Sequence, residues 1–254
     1  MILRRVTEHV KAQNWTAVVL DFVIVIVGIL IALQITNWND TRLQAQREAL
    51  ILDALRADFG AIDNSLRFSI AYHERAIAGL RAVAGAMQAG TLEENERQAF
   101  EDGLRYGYLD AASNTASGVL LEILASGDLT LLQDPRLRAA LSDFESHREA
   151  ASAAASDIRR YVSQYMRSFT AQFDYDVTRA HPSQGADARR VRAISAIGDY
   201  NVESMLGDKA FRESVQELHE FQTLWLNWAS RTLDRVHGVR RLLGDAPVEG
   251  ADPL

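Results

Sequence analysis

The chain has 254 residues, 48% of them hydrophobic, a formal net charge of −7 and no cysteine. The acidic balance removes the electrostatic basis for nucleic-acid binding, and the missing cysteines exclude disulfides, thiol nucleophiles and thiolate metal sites. Abundant alanine with only four prolines favours helix over strand.

Residues 1–14 form a first segment. Ile2, Leu3, Val6 and Val10 share one helical face, with Arg4, Arg5, Glu8 and Lys11 on the others. This is either an amphipathic helix suited to a headgroup layer or a plain basic leader. Residues 15–38 follow as a predicted transmembrane helix. Its apolar run from Thr16 to Thr36 carries one formal charge, Asp21, and is bracketed by Trp15 and Trp38. At about 1.5 Å per residue such a run spans roughly 31 Å, the hydrocarbon thickness of a bilayer. It is longer than the apolar region of a signal peptide, and Leu33-Gln-Ile-Thr-Asn-Trp38 offers no small-residue cleavage site, so a retained anchor is expected.

Lys and Arg counts on the two flanks nearly tie. The short basic N-terminus and the acidic remainder favour a cytoplasmic N-terminus and a periplasmic domain at a bacterial inner membrane. Three basic and two acidic residues among the first 39 leave −8 for the rest of the chain.

Ala17, Asp21, Gly28 and Ala32 fall on one stripe of the span. Gly28-x-x-x-Ala32 is a small-xxx-small pair that lets a second helix approach, so the expected partners besides lipid are a second copy or another membrane protein. Asp21 is either a pole of that contact or an interfacial carboxylate reaching water.

Residues 39–244 read as one soluble helical domain. A long first helix continues from the anchor through Leu52, Leu55, Phe59, Ile62, Leu66, His73, Ile77, Leu80, Ala84 and Met87 and ends at Gly90. Thr91-Leu-Glu-Glu94 predicts a capping box opening a shorter helix to Tyr108. A short helix ends at Gly127, a left-handed cap. Asp134-Pro135 then starts a long helix with a stripe from Leu137 to Phe173. Residues 174–207 read as irregular, with a loop at His181-Pro182-Ser-Gln-Gly185. Asp208 caps a last helix through Phe211, Val215, Leu218, Trp225, Ala229, Val236 and Leu243, ended by Gly244, and residues 245–254 form a disordered tail. Three long amphipathic helices must bury their stripes on one another. The expected fold is therefore all-α: one transmembrane helix continuing into an elongated, coiled-coil-like antiparallel bundle.

The six histidines show no metal-ligand spacing, and His73, on an apolar stripe, reads as a hydrogen-bonded core residue. Asp174-Tyr-Asp176 lacks the rest of a calcium loop. No nucleophile elbow or phosphate cradle occurs, so no cofactor and no catalytic residue is expected. Tyr106, Tyr108, Asp110, Asn114, Glu122 and Asp128 crowd a Gly-punctuated middle segment. That segment is the expected binding surface, since binding groups concentrate on irregular pieces held by a rigid frame.

The block Asn14-Trp15…Asp21-Phe-Val-Ile-Val-Ile-Val-Gly28…Leu33-Gln-Ile-Thr-Asn-Trp38-Asn39 resembles the N-terminus of a family of uncharacterised bacterial single-span membrane proteins. Ser126-Gly127-Asp-Leu-Thr-Leu-Leu132, with Leu137-Arg138 and Leu141, is similar to that family's central segment. The resemblance implies a single-span helical bacterial protein and brings no activity or site residues with it. The expected role is a non-enzymatic, membrane-anchored protein that binds, scaffolds or senses in the bacterial envelope. The alternatives are a small-ligand sensor signalling through the continuous helix, and an enzyme using carboxylates of residues 110–128.

Overall fold

The computed structural model describes residues 15–111, 113–180 and 195–245, with side chains for all of these except 15–18, 21, 177–180 and 195. The 1–14 segment, the His181–Gly185 loop, the tail beyond Asp245 and the side chains of Ala17 and Asp21 lie outside the described residues. The chain divides into two compact units, Met1–Ile51 and Leu52–Leu254.

The first unit contains the start of helix α1 (Trp15–Ala89). Its large apolar side chains from Val19 to Ile35 are all exposed, as is Trp38. A helix of this composition in a protein core would be covered by other side chains, whereas in a bilayer lipid satisfies every face. α1 is thus long and apolar enough to cross a membrane, with a mean hydropathy of 1.9 in its apolar window. The Thr36 hydroxyl donates to the Ala32 carbonyl at 3.0 Å, which keeps its polar group satisfied within the helix. No heavy atom lies within 4 Å of a Cβ built on Gly28, so its face is open to a neighbour.

The second unit is built on residues 52–89 of α1, α4 (Pro135–Thr170) and α6 (Lys209–Leu242). Asp143–Arg235 at one end and Phe169–Phe211 at the other make α4 and α6 antiparallel. Asp63–Arg240 and His73–Gln222 do the same for α1 and α6. α1 and α4 therefore run parallel, with Phe59 against Phe144 at 4.9 Å. The chain makes that possible by turning into α2 (Arg97–Tyr106), coming back along α1 and then forming α3 (Gly118–Ser126) before α4 begins.

Leu55, Phe59, Ile62, Leu66, Ile77 and Leu80 are buried as the stripe predicts, but Ala84 is exposed, and Val83 and Ala86 are buried instead. A straight helix drifts off a seven-residue repeat because its period is nearer 3.6. A cluster around Phe100, Phe169, Phe173, Phe211 and Leu218 closes the end of the bundle beyond Leu80.

Gly127 is left-handed at φ 78°. Asp134 accepts the Arg136 amide at 2.8 Å with Pro135 behind it. Asp208 accepts the Ala210 and Phe211 amides, and Gly244 (φ +73°) lies just past α6.

Two expectations need correction. Thr91 does not cap a helix; a 3₁₀ turn, Glu94–Glu96, leads into α2, and Glu93 precedes it with no side-chain cap. The stretch expected to be irregular contains a two-stranded antiparallel sheet, β1 (Phe173–Ala180) with β2 (Ser195–Tyr200). α4 ends at Thr170, so Phe173 belongs to β1. Phe173 and Tyr175 alternate at the strand period, and their rings and Ile197 cover the aromatic end of the core. The short helix α5 (Val202–Gly207) then leads into α6.

Candidate functional site

Three polar side chains of α1 organise the returning segment. Asp58, Ser65 and Ser69 are spaced by seven and four, which puts them on one face of the helix. The Ser69 hydroxyl donates to the Ala111 carbonyl at 2.8 Å. The Asn114 amide donates to Ser65 Oγ at 3.0 Å. Asp58 accepts the Ser117 hydroxyl at 2.7 Å and the Val119 amide at 3.3 Å. Ser117 in turn caps α3 by accepting the Leu120 amide. An extended segment has no internal hydrogen-bond ladder, so these side chains satisfy its backbone.

Gln222 of α6 fixes the other end. Its Nε2 donates to the Gly107 and Leu109 carbonyls, each at 2.9 Å. The amide's orientation leaves Oε1 as an acceptor, so His73 Nδ1–H donates to it at 2.6 Å. His73 Nε2 then carries a lone pair. His73 is 1% exposed, and burial holds its pKa below the usual 6.5, so the ring is neutral at pH 7.

The returning segment walls a cavity of about 160 Å³ inside the second unit. α1 contributes Leu66, Ser69 and His73. The segment contributes Asp110, Ala111, Ser113 and Thr115. α4 contributes Arg148, Ala151, Ser152, Ala155 and Arg159, and α6 contributes Trp225, Trp228, Ala229 and Thr232. The space exists because α4 presents Ala151, Ser152 and Ala155 where the rest of its stripe is large. Trp225 stacks on His73 with centroids 6.2 Å apart and an interplanar angle of 11°. Arg159 reaches Asp110 at 3.0 Å and lies over Trp225 at 5.7 Å. Arg148 is held by Glu145, Nε to Oε2 at 2.8 Å. His147 donates from Nε2 to Thr232 Oγ1 at 3.1 Å beside Trp228.

Of the six residues expected to form a binding surface, only Asp110 lines the cavity. Tyr106 is buried between Tyr72, edge-on at 5.4 Å, and the Arg75 guanidinium, 4.6 Å above its ring. Tyr108 hydrogen-bonds Tyr175 through the two hydroxyls, and burial pushes the Tyr175 phenol up. Asn114 is exposed and closes its own turn, Oδ1 accepting the Ala116 amide at 3.3 Å. Glu122 and Asp128 are exposed on α3 and the turn after it, away from the cavity lining. Among the described residues, no three His, Cys, Asp or Glu side chains come together as a metal site.

Gln222, Trp228, Arg148 and Arg159 were not singled out in the sequence. A buried glutamine in the seven-residue gap between Leu218 and Trp225 of the α6 stripe was the available signal. So was an alanine tract interrupting an otherwise bulky stripe on α4.

Neutral His73 makes stability depend on pH. The folded pKa lies below the unfolded value near 6.5, so the unfolded chain takes the proton first on acidification. The contribution is fully present above about pH 6.5 and is lost as pH falls from there through the folded pKa. His147, also shifted down by burial, acts with the same sign. The unfolding temperature of the full chain in detergent should drop between about pH 7.5 and pH 5.5, and His73→Gln should flatten that dependence. Identical slopes for the two proteins would rule out His73 as a source.

Comparison with family models, with curated proteins and with solved structures finds no match for this chain.

Proposed function

We propose that the chain is a membrane-anchored, non-enzymatic binding protein of the bacterial envelope, tethered in the inner membrane by α1 and carrying a periplasmic helical unit that takes up a small ligand. The observation that carries this reading is the cavity itself, with polar groups held ready by Gln222 and by the α1 side chains. Pre-positioned polar groups beside the Trp225 and Trp228 rings can fix the orientation of a small molecule. A ligand that shifts the returning segment acts on α1 through Asp58, Ser65 and Ser69, which favours sensing over passive scaffolding.

The enzyme alternative is weaker. Asp110 is the one carboxylate in the described cavity lining, and it is engaged by Arg159. The Ser69 proton is directed at a carbonyl and not at His73, so Ser69 is not set up as an activated nucleophile.

Native mass spectrometry of protein extracted from its own membrane should find a small adduct. Ala155→Leu, which fills the cavity, should lose it. Bare protein in both preparations would count against the reading. Protease digestion of spheroplasts should remove the domain, which would place it on the periplasmic side.

Pairing in the membrane is a separate expectation. Gly28→Ile with Ala32→Ile should reduce self-association in a membrane two-hybrid assay, because the open small-residue face would be blocked. Undiminished association would remove that face from the proposal.

A further inference from the structure

We infer that the cavity's ligand is a small uncharged aromatic or heteroaromatic ring bearing at least one N–H or O–H donor. This rests on the cavity being a ligand site, and it adds the chemical class.

Size comes first. The volume of about 160 Å³ is close to that of cavities of roughly 150 Å³ known to hold benzene. A single ring with one or two substituents fills it, whereas a nucleotide or a long lipid chain would extend beyond it.

Charge is the second constraint. Every charged side chain in the described lining has a counter-ion at hand. Asp110 is taken by Arg159 at 3.0 Å, and Arg148 by Glu145 in a two-point contact. His73 is buried and neutral. A cation or an anion entering this space would lose part of its hydration and find no unpaired opposite charge, or would have to break one of these pairs. An uncharged guest avoids that cost.

Shape and hydrogen bonding narrow the class further. Trp225 and His73 line the space as parallel stacked rings, 11° apart, and the Trp228 indole adds a further aromatic surface. Flat walls favour a flat guest. The polar groups lean towards accepting. His73 Nε2 has a lone pair because Nδ1–H is committed to Gln222. Ser69 Oγ is left to accept because its proton goes to the Ala111 carbonyl. A guest with no donor leaves those acceptors dry, and each unmet buried acceptor weakens binding.

The test uses the full-length protein in detergent with five probes of similar size: phenol, indole, toluene, benzoate and benzylamine. Affinities are read by calorimetry, and far-UV circular dichroism checks folding. Phenol and indole should bind at least about tenfold more tightly than benzoate and benzylamine, and toluene should be weaker than phenol. Ala155→Leu should lose phenol binding by at least about tenfold with the helical signal intact; if that variant unfolds, Ala151→Leu serves instead. Benzoate or benzylamine binding best, with loss in the filled variant, would overturn the ligand class and leave the cavity as the site. Phenol and indole binding equally to the wild type and to a folded filled variant would overturn both the class and the site. No probe binding overturns the class, and a native adduct sensitive to Ala155→Leu would then show that the site itself survives.

Discussion

Replacing Asp63 with alanine is expected to destabilise the Leu52–Leu254 unit by about 3–5 kcal/mol, read from denaturant unfolding of the full chain in detergent. Asp63 is 1% exposed. It accepts Arg67 Nε at 2.6 Å and a hydrogen bond from Arg240 Nη1, and His237 Nε2 lies 3.4 Å away. Arg240 is itself buried and is otherwise held by Asp245 at 2.8 Å. Removing the carboxylate takes one of two counter-ions from the buried Arg240 guanidinium and the ion-pair partner from Arg67, and that penalty sets the size of the effect. The same reasoning predicts that Asp63→Leu combined with Arg240→Met recovers most of the loss, because the charges that then lose a partner, Arg67 and Asp245, are each about a third exposed and reach water. A cost below about 1 kcal/mol for Asp63→Ala would mean the cluster is solvated and not a structural joint.

Alanine at Gly79 or Gly103 should cost about 3 kcal/mol or more by the same measurement. A Cβ on Gly79 would lie 2.3 Å from the Gly103 backbone nitrogen, and one on Gly103 would lie 2.4 Å from the Gly79 carbonyl oxygen. The backbones of α1 and α2 touch there, with no flexible side chain able to move aside. Pushing the helices apart pulls Phe100 and Leu104, both fully buried, away from Leu80 and Val83. Gly85 on the same α1 has nothing within 4 Å of its Cβ position. Gly85→Ala should therefore stabilise by about 0.5–1 kcal/mol through helix propensity. Equal effects at Gly79 and Gly85 would refute the close crossing.

Much of the architecture was legible because it follows from local chemistry. The anchor, the stripes of the three long helices and the caps at Gly127, Asp134 and Asp208 each depend on a few neighbouring residues. The sheet was missed because its alternation is short: Phe173 was read as the end of the α4 stripe, and Tyr175 fell in the stretch read as irregular. The supposed cap at Thr91 failed because a capping box is a local preference, and the chain there enters α2 through a 3₁₀ turn.

The cavity lining was legible only in part. Of the six residues grouped as a binding surface, Asp110 alone lines it. Glu122 and Asp128 were grouped with it by closeness in sequence, while the fold sends them elsewhere. His73, noticed as a core histidine, has its ring oriented by Gln222, which is 149 positions away.

Helicity, a span-length apolar helix near the start and three long amphipathic helices can all be read from the residues alone, because periodicity and caps act within a turn or two of helix. That α1 and α4 run parallel, that glycines bring α1 and α2 into backbone contact, and that small residues of α4 face two tryptophans across a void emerge only from the packed fold. Those features depend on which helix faces meet, and pairwise packing between distant segments leaves no mark in a local pattern.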